Sequence, residues 1–230
     1  MCHCPASAGA HLYPSVARML FSEPCPIPAV HYAIGNIDDA ADCFALSQLV
    51  SLQTPSSTPE KRSQQGFLLG TETLADYQHN VLLGQLRLLK ATTSPQLLGF
   101  LLAYPSGASP QTQVRITQEL SPEALTWLHT QGIPLAAVAV IDKIAIRPNT
   151  GIKGLGRLLY ERWLNEHRPA HALAWVVTHT ADDLLSNQPS MALHDKLGFT
   201  PVLSVPRTIS RADGNATVYK TLYYRRSTPA

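Results

Sequence analysis

Ile141-Asp-Lys-Ile-Ala-Ile-Arg-Pro-Asn-Thr-Gly-Ile-Lys-Gly-Leu-Gly-Arg157 reads as a short apolar strand, a turn, and the glycine-rich start of a helix. Such a turn suits a phosphorylated ligand. The first N–H groups of a helix have no partner within the helix and carry partial positive charge, and glycines let an anion approach them closely. Glycine-rich turns also serve plain strand–helix packing. The turn lacks the Gly-Lys-Ser/Thr close of a P-loop. It also fits a dinucleotide fingerprint poorly. That motif opens an N-terminal βαβ unit, with an acidic residue about 20 residues on. Here the turn lies late in the chain, and the strand beyond the next helix has no acid at its end before Asp182.

Outward from this turn the pattern alternates strands and helices. Downstream, Leu155–His167 predicts a helix with Leu155, Leu158, Leu159 and Leu164 inward and Arg157, Glu161 and Arg162 outward. Ala172–Thr178 reads as an apolar strand. Asn187–Leu197 reads as a short helix, with Gly198 at the left-handed stop. Pro201–Ser210 and Thr217–Arg225 close the chain as strands around an Asp213-Gly214 hairpin signal.

Upstream, Ala136–Ile146 is the most hydrophobic strand, and its lack of alternation places it centrally. Leu86–Thr92 and Gln96–Tyr104 read as strands joined by a turn at Thr93–Pro95. Pro105–Thr112 reads as a loop, and Ser121-Pro122-Glu123 caps a short helix to Thr130. Ala29–Ile34 predicts a strand. Asp38–Leu52 predicts a helix with Ala45, Leu49 and Leu52 on one face. Thr71–Leu83 is a further helix, and Thr58-Pro59-Glu60 starts another. Residues 1–28 read as a poorly ordered lead-in with one short helix near Ser15–Phe21. Strands and helices mix in one pattern without repeats, so one α/β (or α+β) domain is expected over residues 29–226.

Composition narrows the function. The 230 residues carry a net charge of +2, with no basic run of the kind that tracks nucleic acid. No apolar stretch is long enough to span a bilayer, and the N-terminus lacks a secretory pattern. The expectation is a cytoplasmic protein without nucleic-acid or membrane partners. The four cysteines are Cys2, Cys4, Cys25 and Cys43. Cys2, His3 and Cys4 have no second ligand pair at usable spacing, so no metal is expected.

The later stretch Asn187-Gln-Pro-Ser-Met-Ala-Leu-His-Asp-Lys-Leu-Gly-Phe199 adds a second motif. Together with Ile144–Gly156 it resembles the GNAT superfamily of N-acetyltransferases over about Ala137–Phe199. Pro148, Gly154 and Gly156 match the motif at the glycine turn, and Leu193, Leu197, Gly198 and Phe199 match the later helix and its stop. The resemblance implies a mixed sheet of about six or seven strands flanked by helices. It implies acetyl-CoA as co-substrate and a small-molecule or peptide amine as acceptor. Backbone of Ile144, Ala145 and Ile146 would pair with the pantetheine arm. Amides of Ile152, Lys153, Gly154, Leu155, Gly156 and Arg157 would hold the pyrophosphate, with Asn187 and Ser190 nearby. Lys153 and Arg157 could add charge-assisted contacts or be solvated surface cations.

Three departures bear on catalysis. Gly151 replaces the family's Gln/Arg. His194 stands where a tyrosine usually protonates the departing thiolate, and imidazole, with an ordinary pKa of about 6.5, is mostly neutral at pH 7. The strand after the glycine helix carries no carboxylate. The base is then Asp142, His179, Asp182 or a water chain. By strand alternation Asp142 shares the side of Ile144 and Ile146; it could equally pair with Lys143. The segment 105–133 reads as an insertion whose helix, with Trp127, Leu128 and His129, is either a lid over the acceptor or a homodimer contact. Three readings are open: an acyltransferase, a CoA-binding regulator without catalysis, and a dinucleotide-binding oxidoreductase.

Overall fold

The computed structural model describes residues 30–52, 66–69, 72–82, 86–92, 96–107, 109–181, 185–211 and 214–227. Seven strands form one sheet: β1 (Val30–Ile34), β2 (Leu86–Ala91), β3 (Leu97–Tyr104), β4 (Val138–Ile146), β5 (His171–Thr180), β6 (Thr200–Arg211) and β7 (Gly214–Arg226). Their order is β1-β2-β3-β4-β5-β7-β6. Each neighbouring pair is antiparallel except β4 and β5, which run parallel. Among the described residues six α-helices flank the sheet: α1 (Asp39–Leu49), α2 (Leu74–Leu82), α3 (Pro110–Glu119), α4 (Pro122–Thr130), α5 (Leu155–His167) and α6 (Gln188–Lys196). The mixed α/β sheet expected from the sequence is therefore present. No helix among the described residues is long and apolar enough to cross a membrane.

Both faces of the sheet are covered, which explains the unbroken apolar run of β3: all eight of its residues are buried. On one face Cys43 and Leu46 of α1, Tyr77 of α2 and Leu128 of α4 pack with Phe100, Leu102, Val140 and Trp175. On the other, Leu155, Leu159, Tyr160 and Trp163 of α5 pack with Leu101, Ile141, Ala174 and Val176. Each leucine buried in this way contributes about 1.5–3 kcal/mol relative to exposure.

The helix faces correct the sequence pattern in two places. In α1 the buried residues are Asp39, Ala40, Cys43, Leu46 and Ser47. Ala45 and Leu49 turn outward, and Leu52 is buried beyond the helix end. Asp39 is drawn inward by an ion pair with Lys90 on β2, a contact no periodicity reveals. In α5 the inward set includes Tyr160 and Trp163, while Leu158 is half-buried.

Residues 110–119, partly read as loop, form α3. Ser109 accepts from the Thr112 N–H at 3.3 Å, and Pro110 occupies the first turn. Ser121 and Pro122 start α4 in the same way. Past these matching starts the two helices diverge. Pro110–Glu119 is largely polar and buries only Thr112 and Ile116, with Val114 exposed. In α4, Leu128 sits in the core and Trp127 packs edge-on against Tyr224, 5.2 Å between ring centroids. Ser15–Phe21, the start at Thr58-Pro59-Glu60, the Thr93–Pro95 turn, Asp213 and Cys2–Cys4 lie outside the described residues.

Candidate active site

β4 and β5 pair over only four positions, from Val138 with His171 to Ile141 with Ala174. Past this point β5 stays paired with β7 and β4 stays paired with β3. From Asp142 onward the other edge of β4 has no strand opposite it among the described residues, and its backbone groups there have no ladder to join. A cleft of about 150 Å³ opens between Asp142–Ile146 on one side and Trp175–Val177 on the other. Tyr160, Asn187, Ser190 and His194 also line it, as do Glu72 and Lys220.

A β-bulge sits where the strands part. Leu102 faces Lys143, and the next residue, Ala103, faces Ile141, so Asp142 is the extra residue. Alternation is reset there. Val140 and Ala145 belong to one core layer, whereas Ile141, Ile144 and Ile146 belong to the other. Asp142 accordingly does not share the side of Ile144 and Ile146, against the period-two expectation; it turns toward the charged side chains Lys143 and Lys220.

Asp142 is buried, and its Oδ2 lies 3.0 Å from Lys143 Nζ. This ion pair engages Oδ2 directly. Burial pushes the Asp142 pKa up, yet Lys143 and Lys220 more than offset it and hold the carboxyl below its usual range. Lys143 also pairs with Glu72. Burial disfavours its charge, but Asp142 and Glu72 raise its pKa above the ordinary lysine value.

His194 is 1% exposed. Its Nδ1 lies 2.6 Å from the Ser190 carbonyl oxygen, which can only accept, so Nδ1 carries a proton. Burial pushes its pKa down to about 4, outweighing the Ser190 carbonyl and Asp195. The neutral ring therefore has Nε2 as an acceptor, and the Tyr160 hydroxyl donates to it at 2.6 Å. Burial in turn raises the Tyr160 pKa. Both imidazole nitrogens are thus engaged within the protein. Among the lining residues that sequence reading missed, with Glu72, Trp175 and Lys220, is Tyr160. Its position four residues after Gly156 carried one signal, a large polar-tipped aromatic on the inward stripe of α5.

The glycine turn borders this cleft without lining it. Gly151 and Gly154 hold φ of +70° and +82°, where a side chain is strained. Gly154 is the N-cap of α5 and offers no side-chain acceptor to the first N–H groups; Leu158 makes the first helical bond, to the Gly154 carbonyl at 2.9 Å. Gly156 abuts the cleft wall: a Cβ there would lie 3.2 Å from Leu193 Cδ2 and 3.7 Å from Ile144 Cδ1. Lys153 is exposed and Ile152 half-buried, and Arg157 is engaged by Glu161 at 2.6 Å on the surface. Asn187 is buried and donates to the Phe67 carbonyl at 3.1 Å, while its Oδ1 has no partner. His179 stacks on Tyr219, 4.6 Å between ring centroids, and is not among the lining residues. Asp182 lies outside the described residues. Of the candidates, the cleft brings together Asp142, Ile144, Ala145, Ile146, Asn187, Ser190 and His194.

A strand pair that splays beside a glycine-headed helix can be compared with solved structures. An N-acetyltransferase from Staphylococcus aureus Mu50 superposes with a TM-score of 0.54 at 13% identity, over 86% of this chain and 98% of its own. A GNAT-family acetyltransferase from Streptococcus pneumoniae gives 0.53 at 15%, over 86% and 100%. The Salmonella typhimurium protein yncA, solved with its cofactor acetyl-CoA, gives 0.52 at 16%, over 88% and 96%. The chain has the GNAT fold. No family model and no curated protein matches the sequence. On the GNAT fold, the stretch Ala137–Phe199 that carries the sequence resemblance spans β4, α5, β5 and α6, which supply most of the cleft; Val50, Gly66, Phe67, Leu68, Leu69, Glu72 and Lys220 line the rest.

Proposed function

We propose that the chain is an acetyl-CoA-dependent N-acyltransferase that moves an acetyl group directly to an amine in the cytoplasm. The observation that carries this reading is the unpaired edge of β4 from Asp142 to Ile146, beside the uncapped N-terminus of α5. Backbone groups of Ile144, Ala145 and Ile146 would pair with the pantetheine amides, completing the interrupted ladder. N–H groups over Ile152–Arg157 would hold the pyrophosphate, with Lys153 beside them. Asn187 Oδ1, buried without a partner, is an acceptor for an amide N–H.

When bound, acetyl-CoA supplies the acetyl group as a thioester. The N–H of Ile144 or Ala145 polarises its carbonyl, as an oxyanion hole does. The Tyr160 hydroxyl turns from His194 Nε2 toward the sulfur and gives it a hydrogen bond as it departs. His194 thus acts with Tyr160 at the leaving group. Asp142, kept ionised by Lys143, holds the incoming amine, whose proton leaves to water, since a carboxyl held below its usual range is a weak base.

A CoA-binding protein without catalysis is the second reading. Its support is the engagement of both His194 nitrogens and of Asp142 in internal contacts. Calorimetry with acetyl-CoA, with NAD(P) as control, and thiol release over an amine panel separate the cases. Binding with thiol release supports the enzyme, and binding without release for any amine supports the second reading. Absence of CoA binding overturns both.

A further inference from the structure

Resting on the acyl-transfer reading, we propose that the closed end of the cleft takes an acceptor bearing a carboxylate next to its amine, a free amino acid. Lys220 receives the carboxylate, and Asp142 with Glu72 receives the amine. Asp142 and Trp175 come immediately after the last β4–β5 pair, Ile141 with Ala174, so they stand on opposite walls where the strands begin to part. Lys220 of β7 lies across from Val177 of β5, and its ammonium sits 5.3 Å from the centre of the Trp175 ring. It is half-buried, and no ion pair engages it among the described residues.

The neighbouring cations are committed. Lys143 is held by Asp142 and Glu72, and Arg115 by Glu119. A partly buried ammonium over an aromatic face, near enough to Asp142 to feel its charge but in contact with no carboxylate among the described residues, is a seat for an anion. Beside it the buried Trp175 Nε1 is a donor without a partner, and across the cleft stand the carboxylates of Asp142 and Glu72, whose oxygens beyond those paired with Lys143 can still accept. Oxygens are called for on the Trp175 side and an amine on the Asp142 side.

Charge points the same way. Asp142 and Glu72 cancel Lys143 and Lys220, so a zwitterion leaves the cleft neutral. A polyamine would add uncompensated positive charge beside two lysines, and a peptide N-terminus would leave Lys220 without an anion.

The test is thiol release from acetyl-CoA by the full chain, comparing free amino acids with their amides and with the corresponding decarboxylated amines. The expected result is a kcat/KM for some free amino acid roughly 10-fold or more above its amide, the scale of a lost charged hydrogen bond. In Lys220→Met, which keeps the stem over Trp175, the ratio falls to about 3-fold or less through KM, while CoA affinity in calorimetry is retained. Equal use of amides or amines by the wild type, or an unchanged ratio in a folded Lys220→Met, overturns the proposal. If no acceptor releases thiol, the acyl-transfer reading fails separately. Direct calorimetry with the same amino acids then decides: binding lost in Lys220→Met upholds the site, and no binding to the wild type overturns it.

Discussion

The Tyr160 hydroxyl and His194 Nε2 are joined by a 2.6 Å hydrogen bond across the interface of α5 and α6, at the floor of the cleft. The ring beyond is fixed by the Ser190 carbonyl on its other nitrogen. This contact makes Tyr160, rather than histidine alone, the group with a proton to share.

Tyr160→Phe removes that proton and leaves a buried imidazole nitrogen unpaired. The expected loss of stability is about 1–3 kcal/mol. If the hydroxyl serves the departing thiolate, turnover falls by roughly 10²-fold or more with acetyl-CoA affinity little changed. Urea denaturation and thiol-release kinetics on one preparation measure both. Full turnover in a folded Tyr160→Phe would remove this residue from the mechanism.

The buried His194 makes stability depend on pH. Its folded pKa of about 4 lies below the ordinary 6.5, so between these values the unfolded chain binds more protons. The stabilisation is fully present above pH 6.5 and is lost as pH falls through 4. At about 1.4 kcal/mol per unit it amounts to roughly 3 kcal/mol. Urea midpoints should therefore drop less between pH 6.5 and 4 in His194→Gln than in the wild type. Parallel curves would show that this ring does not titrate as described.

Gly99 of β3 lies opposite Ile146 of β4. A Cβ there would stand 2.6 Å from Ile146 Cδ1 and 2.9 Å from the Ala145 carbonyl oxygen. Backbone cannot yield as a flexible side chain does, so Gly99→Ala should cost about 1–3 kcal/mol. It should also weaken CoA binding, because the displaced segment is the free edge of β4. Thermal unfolding and calorimetry check the pair of effects; wild-type stability would mean that β4 is free to shift.

Gly154 presents the opposite case. No atom lies within 4 Å of a Cβ placed there, but its φ is +82°. Gly154→Ala should cost about 1–2 kcal/mol from backbone strain alone and should lower CoA affinity by reshaping the turn. If calorimetry shows affinity holding while stability falls, the turn does not carry the pyrophosphate.

Local chemistry was legible in the chain itself. The bounds of α5, the left-handed stop at Gly198 and the serine–proline start of α4 each depend on a few adjacent residues and survive any tertiary context. The buried central strand β3 was legible too, since a run without alternation requires cover on both faces. Glycines at 154 and 156 and the Leu-Gly-Phe stop were enough to point to the right fold. Contacts distant in sequence decided the rest. The inward turn of Asp39 depends on Lys90, 51 residues away. The bulge at Asp142 reset an alternation that sequence reading carried straight through, because a strand's period is set by its partner's register. The parting of β4 from β5, the burial that keeps His194 neutral, and the pairing of that ring with Tyr160 arise only when α5 and α6 close over the sheet. Sequence determined which groups were available, and tertiary structure decided which of them share a proton.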